Sequence, residues 1–413
     1  MKVIIVGAGI AGLTTALCLH RQNIDCEVFE QSDEVRELGV GLNLLPHAVQ
    51  RLADLGLLAD LKASAVATYE LILMNRLGQE IRSELRGRAA GQAVPQLSIH
   101  RGVLQRVLYD AVCHRIGRGA VRTDRRLVSF DDGNDAGGGV RARFVDRRGR
   151  PAETAEGDVL VAADGIHSSA RTILHPAEGP PRWNGVMMWR GATDWPAFLT
   201  GRSMIVAGGT DAKLVVYPIK AGGQPETRLT NWAVVSRVGD DGDHPPRRED
   251  WSRLGAMADL EPLLSHFTID GIDVRGMVHA TPRFYEYPMC DRDPLDHWGR
   301  GRVTLIGDAA HPMYPMGSNG ASQAIIDADV LTSALAAAPA PEALRAYEHE
   351  RLPATAEIVR LNRAGGPERI IDLVEARAPG GFQNLADVVN DDELGAILGG
   401  YARATSMTAD GAS

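Results

Sequence analysis

The chain opens on a strand, Lys2–Val6, whose Val3–Val6 is an unbroken apolar run, the pattern of a strand covered on both faces. Behind it, Leu13–His20 carries apolar residues at helical spacing, and Cys26–Glu30 returns to a strand, so the chain begins as a βαβ unit. Two more buried strands, Val159–Ala163 and Val303–Ile306, stand far downstream, and the second precedes a long helical stretch from Gly320 to Ala338. Between them the pattern changes. Val186–Arg190, Ser203–Ala207, Leu214–Ile219 and Asn231–Val235 are short runs rich in Val, Met, Trp and Tyr, separated by turn residues, as expected of an antiparallel sheet. Gly133–Gly139, Ala221–Pro225 and Ala336–Pro341 read as surface turns. The pattern therefore predicts an α/β chain: a discontinuous Rossmann-like domain, an inserted antiparallel β-sheet domain, and C-terminal helices.

Composition narrows the class. With 413 residues the chain can bury a large core or two joined ones, and its formal charge of -9 argues against a nucleic-acid or anionic-membrane binder. No run approaches the roughly 20 apolar residues of a membrane helix, and the N-terminus lacks a secretory cleavage pattern. Four cysteines (Cys18, Cys26, Cys113, Cys290) show no CxxC spacing and read as reduced, buried fillers, so cytoplasmic residence is expected. His, Cys and carboxylates lack ligand spacing, so no metal site is expected.

The first motif is Gly7-Ala8-Gly9-Ile10-Ala11-Gly12, a GxGxxG between a strand and a helix. Gly7 permits the tight turn, Gly9 lets a pyrophosphate approach the backbone, and Gly12 lets helix and strand pack closely. The helix N-terminus offers free N–H groups and a positive dipole to a diphosphate, and Glu30 at the end of the second strand suits ribose hydroxyls. This cradle does not distinguish FAD from NAD.

Two further motifs lie at strand ends. Val159–Ala163 runs into Asp164-Gly165 and, beyond, Arg171, which would organise a turn near phosphates or merely end a strand. Val303–Ile306 ends in Gly307-Asp308-Ala309-Ala310-His311-Pro312, with Asp308 at the carboxyl edge where open α/β sheets bind ligands. His311 reads as part of that turn, not as an acid–base residue. The segment Tyr314–Gly320 then leads into a helix whose N-terminal amides would favour an anion such as a reduced flavin.

In this order and at these separations, the three motifs resemble the class A flavoprotein monooxygenases, the para-hydroxybenzoate hydroxylase-like family, over nearly the whole chain. Gly39-Val40-Gly41-Leu42-Asn43, Ser98-Ile99-His100-Arg101-Gly102, Met188-Trp189-Arg190-Gly191, Tyr287-Pro288-Met289, Asp291-Arg292-Asp293-Pro294-Leu295 and Met313-Tyr314-Pro315-Met316-Gly317 resemble its phenazine-modifying hydroxylases most. The resemblance implies an FAD-binding domain from residues 1–70, 96–180 and 285–365, a β-rich substrate domain from 71–95 and 181–284, and a C-terminal helical segment from 366–413. It implies that Gly7, Gly9 and Gly12 line the pyrophosphate, Glu30 the ribose, and Arg101 and Gln105 the phosphate and ribityl region, with Ala11 and Leu127 also touching the cofactor. Asp164 and Asp308 take the family's two aspartate positions, Gly41 and Leu42 lie on the flavin's mobile side, and Pro315, Gly317, Ser318, Asn319 and Gly320 lie at the isoalloxazine. The spelling Gly317–Gln323 departs from the commoner GxGxNxA form, which leaves the amide-by-amide assignment open.

The implied activity is a single-component hydroxylase. NADH or NADPH, bound transiently for want of a second GxGxxG, reduces FAD; O2 then forms a flavin C4a-hydroperoxide that hydroxylates an aromatic, phenazine-like or carboxylated polycyclic substrate. Arg190 and Tyr217, on strands of the inserted sheet, are the catalytic candidates. Trp189, Trp232, Trp298, Met187–Met188 and Met313–Met316 are available either to wall a flat substrate or to fill the core. A dehydrogenase or reductase of the same fold without oxygen insertion, and a non-flavin NAD-binding protein, remain open. No nucleic-acid or membrane partner is expected, and the chain would work as a monomer or homodimer.

Overall fold

The computed structural model describes residues 1–35, 39–132, 138–240, 244–248, 250 and 252–405. Lys2–Val6 lies at the centre of a five-stranded parallel sheet, in the order Val303–Leu305, Val159–Ala162, Lys2–Val6, Asp25–Phe29, Val121–Arg122. Val3, Ile4, Ile5 and Val6 are all buried, as the absence of a polar alternation requires of a strand with helices on both faces. The following helix spans Ile10–Arg21. Its residues from Ile10 to Leu19 are buried on every side, and His20 and Arg21 complement the dipole at its exposed end. It packs against the helices Arg101–Arg115 and Gly320–Ala337.

The β-rich part is a seven-stranded sheet in the order Phe284–Asp291, Arg182–Pro196, Thr227–Arg237, Ala212–Ala221, Ser203–Gly208, Glu70–Asn75, Glu80–Leu85. All its pairings are antiparallel except that of Ser203–Gly208 with Glu70–Asn75. Phe284–Asp291 hydrogen-bonds along residues 182–191, so the sheet extends past residue 284, where the sequence reading begins the last part of the dinucleotide unit. A small sheet of Gly41–Leu44, Gln96–His100 and Ala65–Thr68, and a three-stranded sheet of Arg126–Asp131, Val140–Val145 and Pro151–Gly157, complete the strands among the described residues. The expected turn at Gly133–Gly139 falls largely outside those residues. The break near Ala336–Pro341 is short, since one helix ends at Ala337 and the next, Ala340–Arg363, begins after Pro339.

The two-residue period of the long strand decides what each side chain meets. Met187 and Trp189 point to a core shared with Trp232 and with the helices Met257–Leu264 and Val274–His279. Met188 points to the opposite face. Trp232 is fully buried, donates its indole N–H to Thr281 Oγ1 at 2.8 Å, and meets the Phe284 ring at 5.6 Å between centroids. Trp298 joins the core of the parallel sheet against Tyr347. These three tryptophans are therefore core packing and do not wall a ligand site; only the methionine part of that expectation reaches the cavity. The opposite face of the large sheet is covered by Ile370, Ile371 and Val374 of the helix Arg369–Arg377 and by Leu394 of the helix Asp391–Ala404.

Candidate active site

Between the parallel sheet, the cavity-side face of the large sheet and the C-terminal helices lies one cavity of about 1670 Å³. That exceeds the ~300–1,000 Å³ of a pocket for one drug-sized ligand, so it has room for a dinucleotide and a second molecule. Gly7, Gly9, Ala11, Glu30, Gly41, Leu42, Arg101, Gln105, Leu127, Asp164, Arg190, Tyr217, Asp308, Pro315, Gly317, Ser318, Asn319 and Gly320 all line it. Gly12 does not, because it faces the strand: a Cβ there would overlap the Gly7 carbonyl oxygen and stand 3.2 Å from Ile5 Cγ2.

The glycines divide their work. Gly7 has φ +103°, and a Cβ there would lie 2.8 Å from the Ala163 carbonyl carbon, so the turn needs both its backbone freedom and its lack of a side chain. A Cβ at Gly9 would meet nothing within 4 Å, although the residue sits directly before the helix Ile10–Arg21. That helix has no side-chain cap, so its first N–H groups are left for whatever occupies the cavity. Gln105 Nε2 donates to the Ala8 carbonyl at 2.8 Å. The two Glu30 oxygens accept the backbone N–H groups of Ala8 and Ser32, each at 2.8 Å, so Glu30 also ties the glycine loop to the strand end.

At the second strand end, Asp164 Oδ2 accepts the Ser169 and Ala170 amides at 2.7 and 3.3 Å, while its Oδ1 is buried with no protein partner. Burial raises this carboxyl above its ordinary range, and the Ser168 hydroxyl and nearby amides oppose the rise. Arg171 turns away from any phosphate position. Its fully buried guanidinium donates to Glu178 and to the carbonyls of Ala309 and Ala310, locking the second motif to the third.

Asp308 opens onto the cavity. Enclosure by protein raises its carboxyl, with His311 and Arg101 pulling the other way, and water in the cavity limits the effect. Behind it lies a buried ionic network that the sequence did not announce. Asp327, wholly buried, accepts from His311 Nε2 at 2.5 Å, Arg351 Nε at 2.8 Å and the Gly307 amide at 3.2 Å. Burial alone would raise Asp327, but His311 and Arg351 hold it below the usual carboxylate range.

The loop before the helix Gly320–Ala337 is held from the C-terminus. Gly317 and Ser318 both have positive φ, +65° and +60°. The Ser318 amide is taken by the Pro315 carbonyl at 3.0 Å, whereas the first-turn amides of the following helix have no intrahelical acceptors. Asn319 Nδ2 donates to the Tyr401 hydroxyl at 2.9 Å, and that hydroxyl donates towards the Met316 carbonyl and Asn362 Oδ1, each at 2.8 Å. Tyr401 and Asn362 were invisible to motif reasoning.

Arg190 reaches the cavity but is not free. Its guanidinium donates to the Gly41 carbonyl, to the Tyr287 hydroxyl at 3.1 Å and to Asn231 Oδ1 at 3.4 Å, while Nε stays unpaired. Asn231 Oδ1 also accepts the Gly41 amide at 2.9 Å, and a Cβ at Gly41 would lie 2.8 Å from Asn231 Cβ. The strand Gly41–Leu44 is thus clamped at its start to the large sheet. Tyr217 is buried beside Arg190, and burial pushes its hydroxyl up to about 12, so it is a neutral donor at ordinary pH. Beyond these residues the cavity is walled by Leu71, Leu73, Met188, Met204, Val206, Met289 and Met316, with Arg86 and Glu368 as polar groups. Arg86 bonds Glu84 through Nη2 and leaves Nε buried and unpaired. No cluster of three or more His, Cys, Asp or Glu suited to a metal is present among the described residues, and no described helix is long and apolar enough to cross a membrane.

Comparison with known proteins agrees with this geometry. The FAD binding domain family matches residues 1–362. The chain is 42% identical to phenazine 1,6-dicarboxylic acid hydroxylase of Lysobacter antibioticus over 366 residues, 87% of this chain and 89% of that protein. It is 31% identical to 3-hydroxybenzoate 6-hydroxylase 1 of Aquipseudomonas alcaligenes, covering 88% of each. Among solved structures, Klebsiella pneumoniae HpxO complexed with FAD and uric acid superposes with a TM-score of 0.76 at 24% identity, covering 100% of this chain and 98% of that one, a likeness of fold.

Proposed function

Because the chain belongs to the FAD-binding-domain family and, within it, to the class A flavin-dependent aromatic hydroxylases, we propose that it is a single-component monooxygenase that uses NADH or NADPH and O2 to hydroxylate a phenazine-like or carboxylated polycyclic aromatic. The observation that carries this reading is the single cavity in which a helix N-terminus, two strand-end aspartates and a second helix N-terminus converge beside an apolar chamber. The cradle suits FAD: Gly9 leaves open space where a side chain would stand, and Asp164 Oδ1 is a buried acceptor with no donor from the protein.

In this reading Gly7, Gly9, Ala11 and the first turn of the helix Ile10–Arg21 take the pyrophosphate, with Gly12 allowing the close helix–strand contact. Glu30 and Leu127 face the adenosine side, Arg101, Gln105 and Asp164 the phosphates and ribityl chain, and Asp308 a ribityl hydroxyl. Gly41 and Leu42 flank the ring on one side; Pro315, Gly317, Ser318, Asn319 and Gly320 bring the other helix N-terminus to it. FAD bound there supplies the electrons and activated oxygen for ring hydroxylation. Arg190 fixes the start of the strand Gly41–Leu44 against the large sheet, and Tyr217, held neutral, donates a hydrogen bond into the chamber. The methionines and leucines exclude water and accept a flat ring, and the Arg86 guanidinium, although paired with Glu84, keeps an unpaired Nε–H donor for a substrate carboxylate. One GxGxxG serves one dinucleotide, so the nicotinamide is a visitor. Four free cysteines, with burial pushing Cys18 and Cys26 up to about 12, suit a reducing cytoplasm.

The test is to reconstitute the protein with FAD and measure NADH and NADPH oxidation with phenazine carboxylates and hydroxybenzoates. Product carrying 18O from 18O2 in step with the nucleotide consumed is the expected result. Substrate oxidation without label would make the protein a dehydrogenase, and a preparation that stays colourless with FAD would end the flavoprotein reading.

A further inference from the structure

Most carboxylates along the cavity are already engaged: Glu30 by two amides, Asp164 by two amides, Glu84 by Arg86. Glu368, like Asp308 at the strand end and Asp391 at a helix start, is not. It lines the chamber at the end of the turn Gly366–Glu368, directly before the helix Arg369–Arg377, and no described residue hydrogen-bonds its carboxylate. The cation that acts on it, Lys213 on the strand Ala212–Ala221, is committed elsewhere, with Nζ 2.6 Å from Asp372 Oδ1. Asp372, one turn further along the helix, adds a like charge, and Tyr401 of the helix Asp391–Ala404 is the remaining titratable neighbour.

The placement of this carboxylate is specific. A Cβ on Gly366 would stand 2.9 Å from Met316 Cβ and 3.5 Å from Tyr401 Cε2, so the turn rests directly on the loop that runs from Pro315 to Gly320. The Tyr401 hydroxyl that holds Asn319 belongs to the same corner. Glu368 therefore lines the cavity from beside the proposed flavin-ring loop. An acid at a helix start is ordinarily a solvated partner of the helix dipole, which would lower its proton affinity. Here burial dominates and pushes the carboxyl up to about 7, with Lys213 opposing and Asp372 adding to the rise. An enclosed acid that changes charge near working pH is matched to proton transfer.

We propose that Glu368 is the substrate's proton acceptor: its carboxylate takes the proton from a hydroxyl conjugated to the ring of an aromatic bound between the 315–320 loop and the helix Asp391–Ala404. The substrate O–H bond breaks, a carboxylic O–H bond forms, and the electron pair stays on the substrate oxygen, where conjugation enriches the ring carbon to be oxidised. No oxidant or reductant is needed for this step. It rests on the hydroxylase reading and narrows the substrate to ring-hydroxylated aromatics.

The test compares the FAD-loaded parent with Glu368→Gln and Glu368→Asp. With 1-hydroxyphenazine as probe, whose phenolate absorbs at longer wavelength than its phenol, binding to the parent at pH 8 should develop the phenolate band, and binding to Glu368→Gln should leave the phenol spectrum. Steady-state kcat/KM for a ring-hydroxylated substrate should rise with pH through about 7 in the parent. It should be lower by about 10²–10⁴-fold and lose that limb in Glu368→Gln, while Glu368→Asp restores the limb at reduced rate. Equal phenolate bands and equal pH profiles in parent and Glu368→Gln would overturn the assignment. If Glu368→Gln fails to fold, Glu368→Asp decides alone: an unshifted profile at the parental rate overturns it. A parent that hydroxylates no aromatic refutes the hydroxylase reading itself, whereas a parent that hydroxylates with Glu368 dispensable refutes only this one.

Discussion

Two glycines three residues apart give the sharpest separation of cofactor space from fold space. Helix propensity favours Ala over Gly by about 0.8–1.0 kcal/mol, so Gly12→Ala, inside the helix Ile10–Arg21, would stabilise an isolated helix. In the folded chain the added methyl overlaps the Gly7 carbonyl oxygen and lies 3.1 Å from its carbon, and both atoms are backbone that cannot swing aside. Overpacking of that kind costs about 1–3 kcal/mol, so the clash outweighs the propensity gain, and in a chain of 413 residues the apoprotein should melt about 1–2 °C lower. Gly9→Ala works the other way. Its backbone, φ -76° and ψ -174°, suits any residue, and its methyl meets nothing within 4 Å. The apoprotein should therefore be unchanged or gain up to about 1 kcal/mol from a stiffer unfolded chain. Displacing a diphosphate from one charge-assisted amide bond would cost about 1.5–3 kcal/mol, or about 10- to 150-fold in the FAD dissociation constant. Thermal melts of both apoproteins and flavin-fluorescence titrations test the pair. If Gly9→Ala melts as low as Gly12→Ala, or binds FAD like the parent, the division of roles is wrong.

Three further outcomes follow from the same geometry. Asp308→Ala should retain less FAD through purification while its apoprotein melts near the parent, because the carboxylate faces the cavity and no helix or strand hangs on it; equal flavin occupancy would contradict this. Glu30→Ala removes the acceptor for the Ala8 and Ser32 amides as well as the proposed ribose partner, so the FAD dissociation constant should rise while the bound flavin spectrum stays the same; an unchanged constant would count against it. Asp327→Asn leaves Arg351 and His311 facing a neutral amide at a fully buried site, a loss of about 3–5 kcal/mol at pH 7. Since the folded state holds the Asp327 carboxyl below its ordinary value, the parent's extra stability is complete above the unfolded carboxylate range and falls as pH drops through and below it. Melting temperatures from pH 7 to pH 3 should thus converge for parent and variant, and a constant gap would refute the network's role.

Much of the site was legible because its motifs are local. A strand, a glycine turn and a helix N-terminus follow one another within a few residues, and the conformations of Gly7 and the contact of Gly12 are consequences of that adjacency. The same holds for Asp164 and Asp308, two and three residues past a buried strand. Apolar runs without polar alternation predicted a parallel sheet, and short runs rich in Val, Met, Trp and Tyr, set between turn residues from 186 to 235, predicted the antiparallel one.

Which face of each alternating strand looks into the cavity could not be read from the run itself, because a strand of apolar residues on both faces is symmetric to its own pattern. The register with Thr227–Arg237 and Phe284–Asp291, and the helices that cover one side, sent Trp189 into the core and Met188 into the chamber. Partners separated by long stretches of chain were equally silent: Asn231 with Gly41, Arg351 with Asp327, Tyr401 with Asn319, and Gly366 beside Met316. Local backbone geometry depends on neighbours in the chain, so the amino-acid order determined the cradle. The charge state and hydrogen-bonding of a buried polar group depend on everything packed around it, and only the folded chain decided those.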